Sequence, residues 1–171
     1  MKHRLDERGQ VLWEMMVSLP VIMLLLTSLG GGFLWLMGCY TKEMADLELT
    51  NEMRMSMAQV TDDMRYAKSI SSAPIDGNYD QLTITLPDNT KVIYWVARYN
   101  LSWRLVRNSN NMPLTGESSL GKTDVVTFHC RNDSGYTDVW QIELAAASRL
   151  TGHKFSLRTA VYVGTEGTAD G

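Results

Sequence analysis

Between Gln10 and Met37 the chain carries a single formal charge, Glu14, in about 28 residues. A helix needs roughly 20 apolar residues to cross the hydrocarbon of a bilayer, so this run reads as a membrane segment and the folded head has to come from the residues beyond it. Two features interrupt it. Pro20 lacks an N–H and its ring crowds the preceding turn, which predicts a bend near Leu19 and Pro20. Gly30, Gly31 and Gly32 each cost about 1 kcal/mol relative to alanine inside a helix. Close packing against another helix through small residues is one use that membrane helices make of them. Glu14 is the third oddity: a carboxylate in hydrocarbon costs on the order of 2.5 to 3.5 kcal/mol on insertion scales, so it normally has a partner and a purpose.

The flanks orient the segment. Lys2, His3, Arg4 and Arg8 precede it, against Asp6 and Glu7, and positive residues beside a membrane segment tend to stay cytoplasmic. The amino terminus is therefore expected inside and the bulk of the chain outside. A cleaved secretory signal would have an apolar region of about 7 to 15 residues and a small-x-small site; this run is longer and lacks that site.

Past Tyr40 the helix should continue. Leu49, Met53, Met57, Val60, Met64 and Ala67 recur at four and three residues, the period of one helical face. Glu48, Asn51, Glu52, Arg54 and Asp62 fall on the opposite, polar side, and Glu43 and Asp46 mark the passage to water. One helix is thus predicted from about Val11 to Lys68, ended by the serines and proline of 69–74. From Gln81 the period becomes two. Strands are predicted around Leu82–Leu86, Val92–Val96, Leu101–Leu105, Val125–Arg131, Val139–Leu144 and Phe155–Val163, with turns at Pro87-Asp88-Asn89 and Asn132-Asp133-Ser134-Gly135. Residues 108–121 read as a long loop. Sequential order and short connections favour an antiparallel sheet, with Trp103 and Trp140 in its core because they share phase with leucines and isoleucine. The fold class is α+β: a long amino-terminal helix, half membrane-spanning and half amphipathic, on a carboxy-terminal antiparallel β head.

Chemistry is sparse. With the membrane segment set aside, 171 residues leave room for one domain of about 110 to 130, and a net charge of −3 with scattered lysines and arginines gives no nucleic-acid face. Neighbouring strand residues point to opposite faces, so His129 and Cys130 cannot act as base and nucleophile for each other. His153 stands alone, no set of ligands has metal spacing, and no glycine-rich phosphate loop comes after a strand. No catalytic residue, metal or cofactor is assigned. Asp76-Gly77-Asn78-Tyr79-Asp80 opens like a calcium loop, but Gln81 and Pro87 stand where glycine and glutamate are needed, and a turn entering a strand is the better reading. The two cysteines, Cys39 and Cys130, are read as free thiols, with a Cys39–Cys130 disulfide as the alternative outside the cytoplasm.

The opening residues resemble those of type IV prepilins and type II secretion pseudopilins: Arg8-Gly9 at a cleavage junction, then a hydrophobic helix with Glu14 five positions beyond the cut. The family usually starts its mature chain with phenylalanine, where this one has Gln10. The resemblance implies removal of residues 1–9 between Gly9 and Gln10 by a prepilin peptidase and methylation of the new amino terminus. It also implies assembly through Glu14 and the helix, and a place in the inner membrane before the filament. In this family part of the helix can lose helicity on assembly, which gives Pro20 and Gly30–Gly32 a role in flexibility. The implied organisation is leader 1–9, transmembrane helix 10–40, amphipathic continuation 41–70, β head 71–164 and a loose tail 165–171. The implied partners are other pilin or pseudopilin subunits, the prepilin peptidase, the inner-membrane assembly platform and lipid. The layout is similar to minor subunits of the J or W type or to the F-class competence pseudopilin. A signal-anchored extracytoplasmic binding or sensor domain that never polymerises is the alternative from a different class.

Overall fold

The structure, a computed structural model, describes residues 3–99, 101–107, 112–116, 123–132 and 138–164, with side chains from Val11 onward apart from Met112. The Asp133–Gly135 part of the predicted turn, most of the predicted 108–121 loop and the tail from 165 lie outside the described residues. The chain divides into two compact units, Met1–Thr41 and Lys42–Gly171. Helix α1, His3–Arg65, supplies the first and the opening of the second. It continues through Pro20 and Gly30–Gly32, so neither interruption ends it.

In the second unit the amphipathic stripe is the seam of the core. Ala45, Leu49, Met53, Met57, Val60, Met64 and Ala67 are all buried. They pack with Leu82, Ile84, Tyr94, Leu105, Phe128, Ile142 and Leu144 from the strands. The helix stops at Arg65, three residues before the predicted end, because Lys68 donates its N–H to the Thr85 carbonyl and opens a strand.

Among the described residues eight strands come after the helix: β1 Ser69–Asp76, β2 Tyr79–Thr85, β3 Lys91–Tyr99, β4 Ser102–Arg107, β5 Met112–Pro113, β6 Thr123–Asn132, β7 Val139–Ser148 and β8 Lys154–Tyr162. β1 and β5 are the two strands that the alternation of apolar residues does not predict. β1 is Ser-rich and mostly exposed, so it carries no inward apolar signature, and it forms a hairpin with β2 in the register Ser69↔Thr85 to Asp76↔Tyr79. The calcium-like spacing is accordingly a hairpin turn, with Asp80 inside β2 and buried.

The order β5-β4-β3-β2-β6-β7-β8, with β1 also on β2, differs from a meander at one place. β1 occupies one edge of β2 along its whole length, so β3 and β6 share the other. β3 takes Leu82–Thr85, and β6 takes only Tyr79, in a parallel pairing with Phe128. The expected purely antiparallel sheet is thus corrected to two antiparallel groups, β1–β5 and β6–β8, joined by one parallel bridge. Carboxylates reinforce the joint. Asp80 accepts the Cys130 N–H at 2.9 Å where main-chain pairing has run out, Phe128 N–H reaches the Asn78 carbonyl at 3.0 Å, and Tyr79 Oη donates to the Val125 carbonyl at 3.2 Å. From the facing group, Asp124 accepts the Trp103 N–H at 2.6 Å and the Arg149 guanidinium at 3.0 Å.

Trp103 is corrected from core to surface. It is 36% exposed and lays its ring against Tyr79 at 5.4 Å between centroids, while Leu101 sits in the β3–β4 turn. The burial of both Leu105 and Val106 breaks the alternation in β4, so phase counted back from Leu105 fails. Trp140 packs against the core as expected.

Candidate functional site

The candidate site is α1, taken in each unit separately. In the first unit every described side chain from Val11 to Tyr40 is exposed. The large apolar ones range from 49% exposed at Met37 to 73% at Leu34. Within its own unit this apolar helix has no cover, and it is long and apolar enough to cross a membrane. Three of its hydroxyls bond within the helix: Ser18 donates to the Met15 carbonyl at 3.3 Å, Thr27 to Met23 at 2.7 Å and Thr41 to Gly38 at 3.0 Å. The same back-bonding recurs in the second unit, from Thr50 to Asp46 at 2.9 Å and from Thr61 to Met57 at 2.7 Å, and is an ordinary property of helical Ser and Thr. Glu14 projects from this surface between Trp13 and Met15 and is exposed. A Cβ added at Gly30, Gly31 or Gly32 meets nothing within 4 Å, so packing within the chain does not require these glycines. The Gly9–Gln10 junction lies in α1 as backbone.

In the second unit, polar ties along the flanks of the apolar stripe hold the helix to the head. Asp46 accepts from Thr151 Oγ1 at 2.5 Å in the β7–β8 turn. Glu52 accepts from the Gly116 N–H at 2.9 Å and from Thr123 Oγ1 at 2.8 Å, gathering the two ends of the segment between them. Ser56 Oγ donates to the Leu114 carbonyl at 3.2 Å. Asp63 accepts from Tyr94 Oη at 2.5 Å and pairs with Arg107 at 2.9 Å. Burial pushes the Tyr94 phenol up from its ordinary value, and the hydrogen bond to Asp63 and that carboxylate's charge push it the same way. Sequence periodicity puts Glu52 on the water face and does not single out Asp63. Both sit at the stripe's border, where a turn of helix brings a carboxylate against the sheet. The border position is the signal that could have found them.

The cysteines are both free, Cys39 exposed and Cys130 buried. Burial, and then the nearby Asp80 charge, push the Cys130 thiol up to about 12. The thiolate is the nucleophilic form, so Cys130 is inert at neutral pH. Its neighbour His129 holds Asp80 through Nδ1 at 3.3 Å. On the outer face of β6–β8, His129, Glu143 and Arg158 form a cross-strand row, with Glu143 and Arg158 paired at 2.8 Å and a shallow concavity beside them. Among the described residues no three His, Cys, Asp or Glu side chains gather as metal ligands.

These features define a class: a chain with one amino-terminal helix long and apolar enough to cross a membrane, and an α+β head seated on that helix's amphipathic continuation. Compared with protein-family models, curated proteins and solved structures, the chain matches none.

Proposed function

We propose that the chain is a minor pilin or pseudopilin subunit, made as a single-pass inner-membrane precursor, cut between Gly9 and Gln10, and assembled through α1 into a type IV pilus, a type II secretion pseudopilus or a competence pseudopilus. The observation that carries this reading is Glu14 standing alone, five positions beyond Gly9, on a helix whose apolar side chains have no cover in their own unit. Lipid covers such a surface before assembly, and neighbouring helices of the same kind cover it afterwards. The exchange involves little hydrophobic gain, so a polar group has to supply register. Cleavage places the positive amine of Gln10 at the head of the helix, and Glu14 pairs with the amine of an adjoining subunit. Two opposite charges attract strongly in low dielectric, and an unpaired one is costly there. The carboxylate ties of the second unit fit the same reading, because they fasten the head to the amphipathic half of the helix.

Intact-mass measurement and amino-terminal sequencing of the protein from its native host test the proposal. The mature population should begin at Gln10. Retention of residues 1–9 would overturn it and leave the signal-anchored domain as the reading.

A further inference from the structure

Three strands pair on one side only among the described residues: β1, β5 and β8. A free edge offers a row of unpaired N–H and C=O groups to any extended chain, and proteins blunt such edges with proline, bulges, very short strands or charged side chains, lysine above all. Two of the three are blunted in these ways. β1 contains Pro74 and a register shift between Pro74 and Asp76, and β5 is a two-residue strand that includes Pro113. β8 has neither proline nor bulge, and its protection is charge, Lys154 and Arg158, which repels a like strand and not an acidic one. It runs nine residues from Lys154 to Tyr162 without proline or glycine, in unbroken register with β7 from Ala147↔Lys154 to Val139↔Tyr162. Phe155 and Leu157, on its inner side, pack against the core and remain only partly buried, so the core is incompletely closed along this edge.

We propose that the free edge of β8 is a docking site for an extended, acidic segment of another polypeptide, which joins the sheet as an added strand. In this mode main-chain hydrogen bonds give affinity and alternate side chains give specificity. Every second residue of β8 turns its N–H and C=O away from β7, as antiparallel pairing requires. The charges of β8 are Lys154 and Arg158, both exposed, with no acidic residue between them. Arg158 is drawn back to Glu143 of β7 and does not overhang the edge. A carboxylate opposite Lys154 forms a favourable cross-strand pair, and a basic residue there is repelled. A second copy of β8 is a poor occupant for that reason, since it brings Lys154 and Arg158 against the same basic strand.

The experiment uses the full chain in detergent micelles and residue-resolved amide exchange, so it does not depend on the reading of α1. In the chain alone, alternate amides of β8 should exchange much faster than those at the centre of β7. The probe is a peptide of sequence Val-Glu-Val-Thr-Val-Glu-Val-Thr-Val. It should slow those β8 amides by about tenfold or more and leave β1 and β5 unchanged, while the same peptide with lysine for glutamate should bind about tenfold more weakly. Lys154→Glu, at an exposed position, should narrow or invert that preference. The proposal is overturned if the β8 amides are already protected in the chain alone, if the acidic peptide leaves them unchanged, or if both peptides bind alike.

Discussion

Tyr94→Phe removes one oxygen from the contact that ties the helix to the middle of the sheet. Tyr94 is fully buried at 0% exposure, and its Oη donates at 2.5 Å to Asp63, which Arg107 also holds at 2.9 Å. Phenylalanine keeps the ring in its pocket, so no cavity forms, and Asp63 keeps Arg107 as a partner. The loss is one hydrogen bond to a charged acceptor, about 1.5 to 3 kcal/mol. Urea unfolding of the head in micelles should therefore show a lower midpoint at pH 7 with an unchanged slope. Asp63→Asn should also destabilise, and the double variant should lose less than the sum of the two because the residues share one contact. pH gives a second check. The folded phenol is raised above its unfolded value, so its contribution is fully present below pH of about 10 and is lost as pH rises beyond that, where the unfolded state sheds a proton and the folded state keeps it. The wild-type chain should lose up to about 1.4 kcal/mol per pH unit through this group above pH 10, a component that Tyr94→Phe removes. A Tyr94→Phe loss below about 0.5 kcal/mol, or an identical alkaline slope in the two proteins, would refute the assignment of Asp63 and Tyr94 as a clamp.

Single features lead to other outcomes. With Cys130 buried and its thiol pushed up to about 12, a thiol reagent at pH 8 should leave Cys130 unmodified in the folded chain and label it after denaturation; rapid native labelling of Cys130 would contradict its place in the core. Because an added Cβ at Gly30–Gly32 meets nothing, replacing all three by alanine should stabilise the isolated helix by up to about 3 kcal/mol, measured by helical circular dichroism on heating. If the glycines serve helix extension during assembly, the same variant should be scarce in sheared filaments, and normal amounts there would leave packing as their role. Under the proposed function, Glu14→Ala and Glu14→Gln should leave membrane insertion and leader removal intact and reduce co-purification with other filament subunits; normal assembly of both would rule out charge pairing.

Whatever depends on local composition was legible in the sequence. The uncharged run from Gln10 to Met37 with Glu14 inside it needs no tertiary contact to be recognised, because a bilayer responds to length and hydropathy alone. The stripe from Leu49 to Ala67 and the alternation in β2, β3, β6, β7 and β8 specified which faces are buried, since periods of 3.6 and 2 are backbone properties. Pairing between distant segments lay beyond the reach of these signals. β1 turns one apolar residue, Ile70, to the core, too few to show a period, and β5 is too short to have one, so both exist because β2 and β4 offer them an edge. The approach of β6 to β2 at Tyr79 and Phe128, and the carboxylates that fasten it, depend on a free strand edge left by β3. Glu52 reads as a solvent group and Asp63 is not singled out until the sheet supplies Gly116, Thr123, Tyr94 and Arg107 as partners. Sequence determined the membrane-competent helix and the faces of the elements. Tertiary structure alone decided which edges meet and which polar groups are drawn inward, because hydrogen bonds between segments far apart in the chain leave no periodic trace in either one.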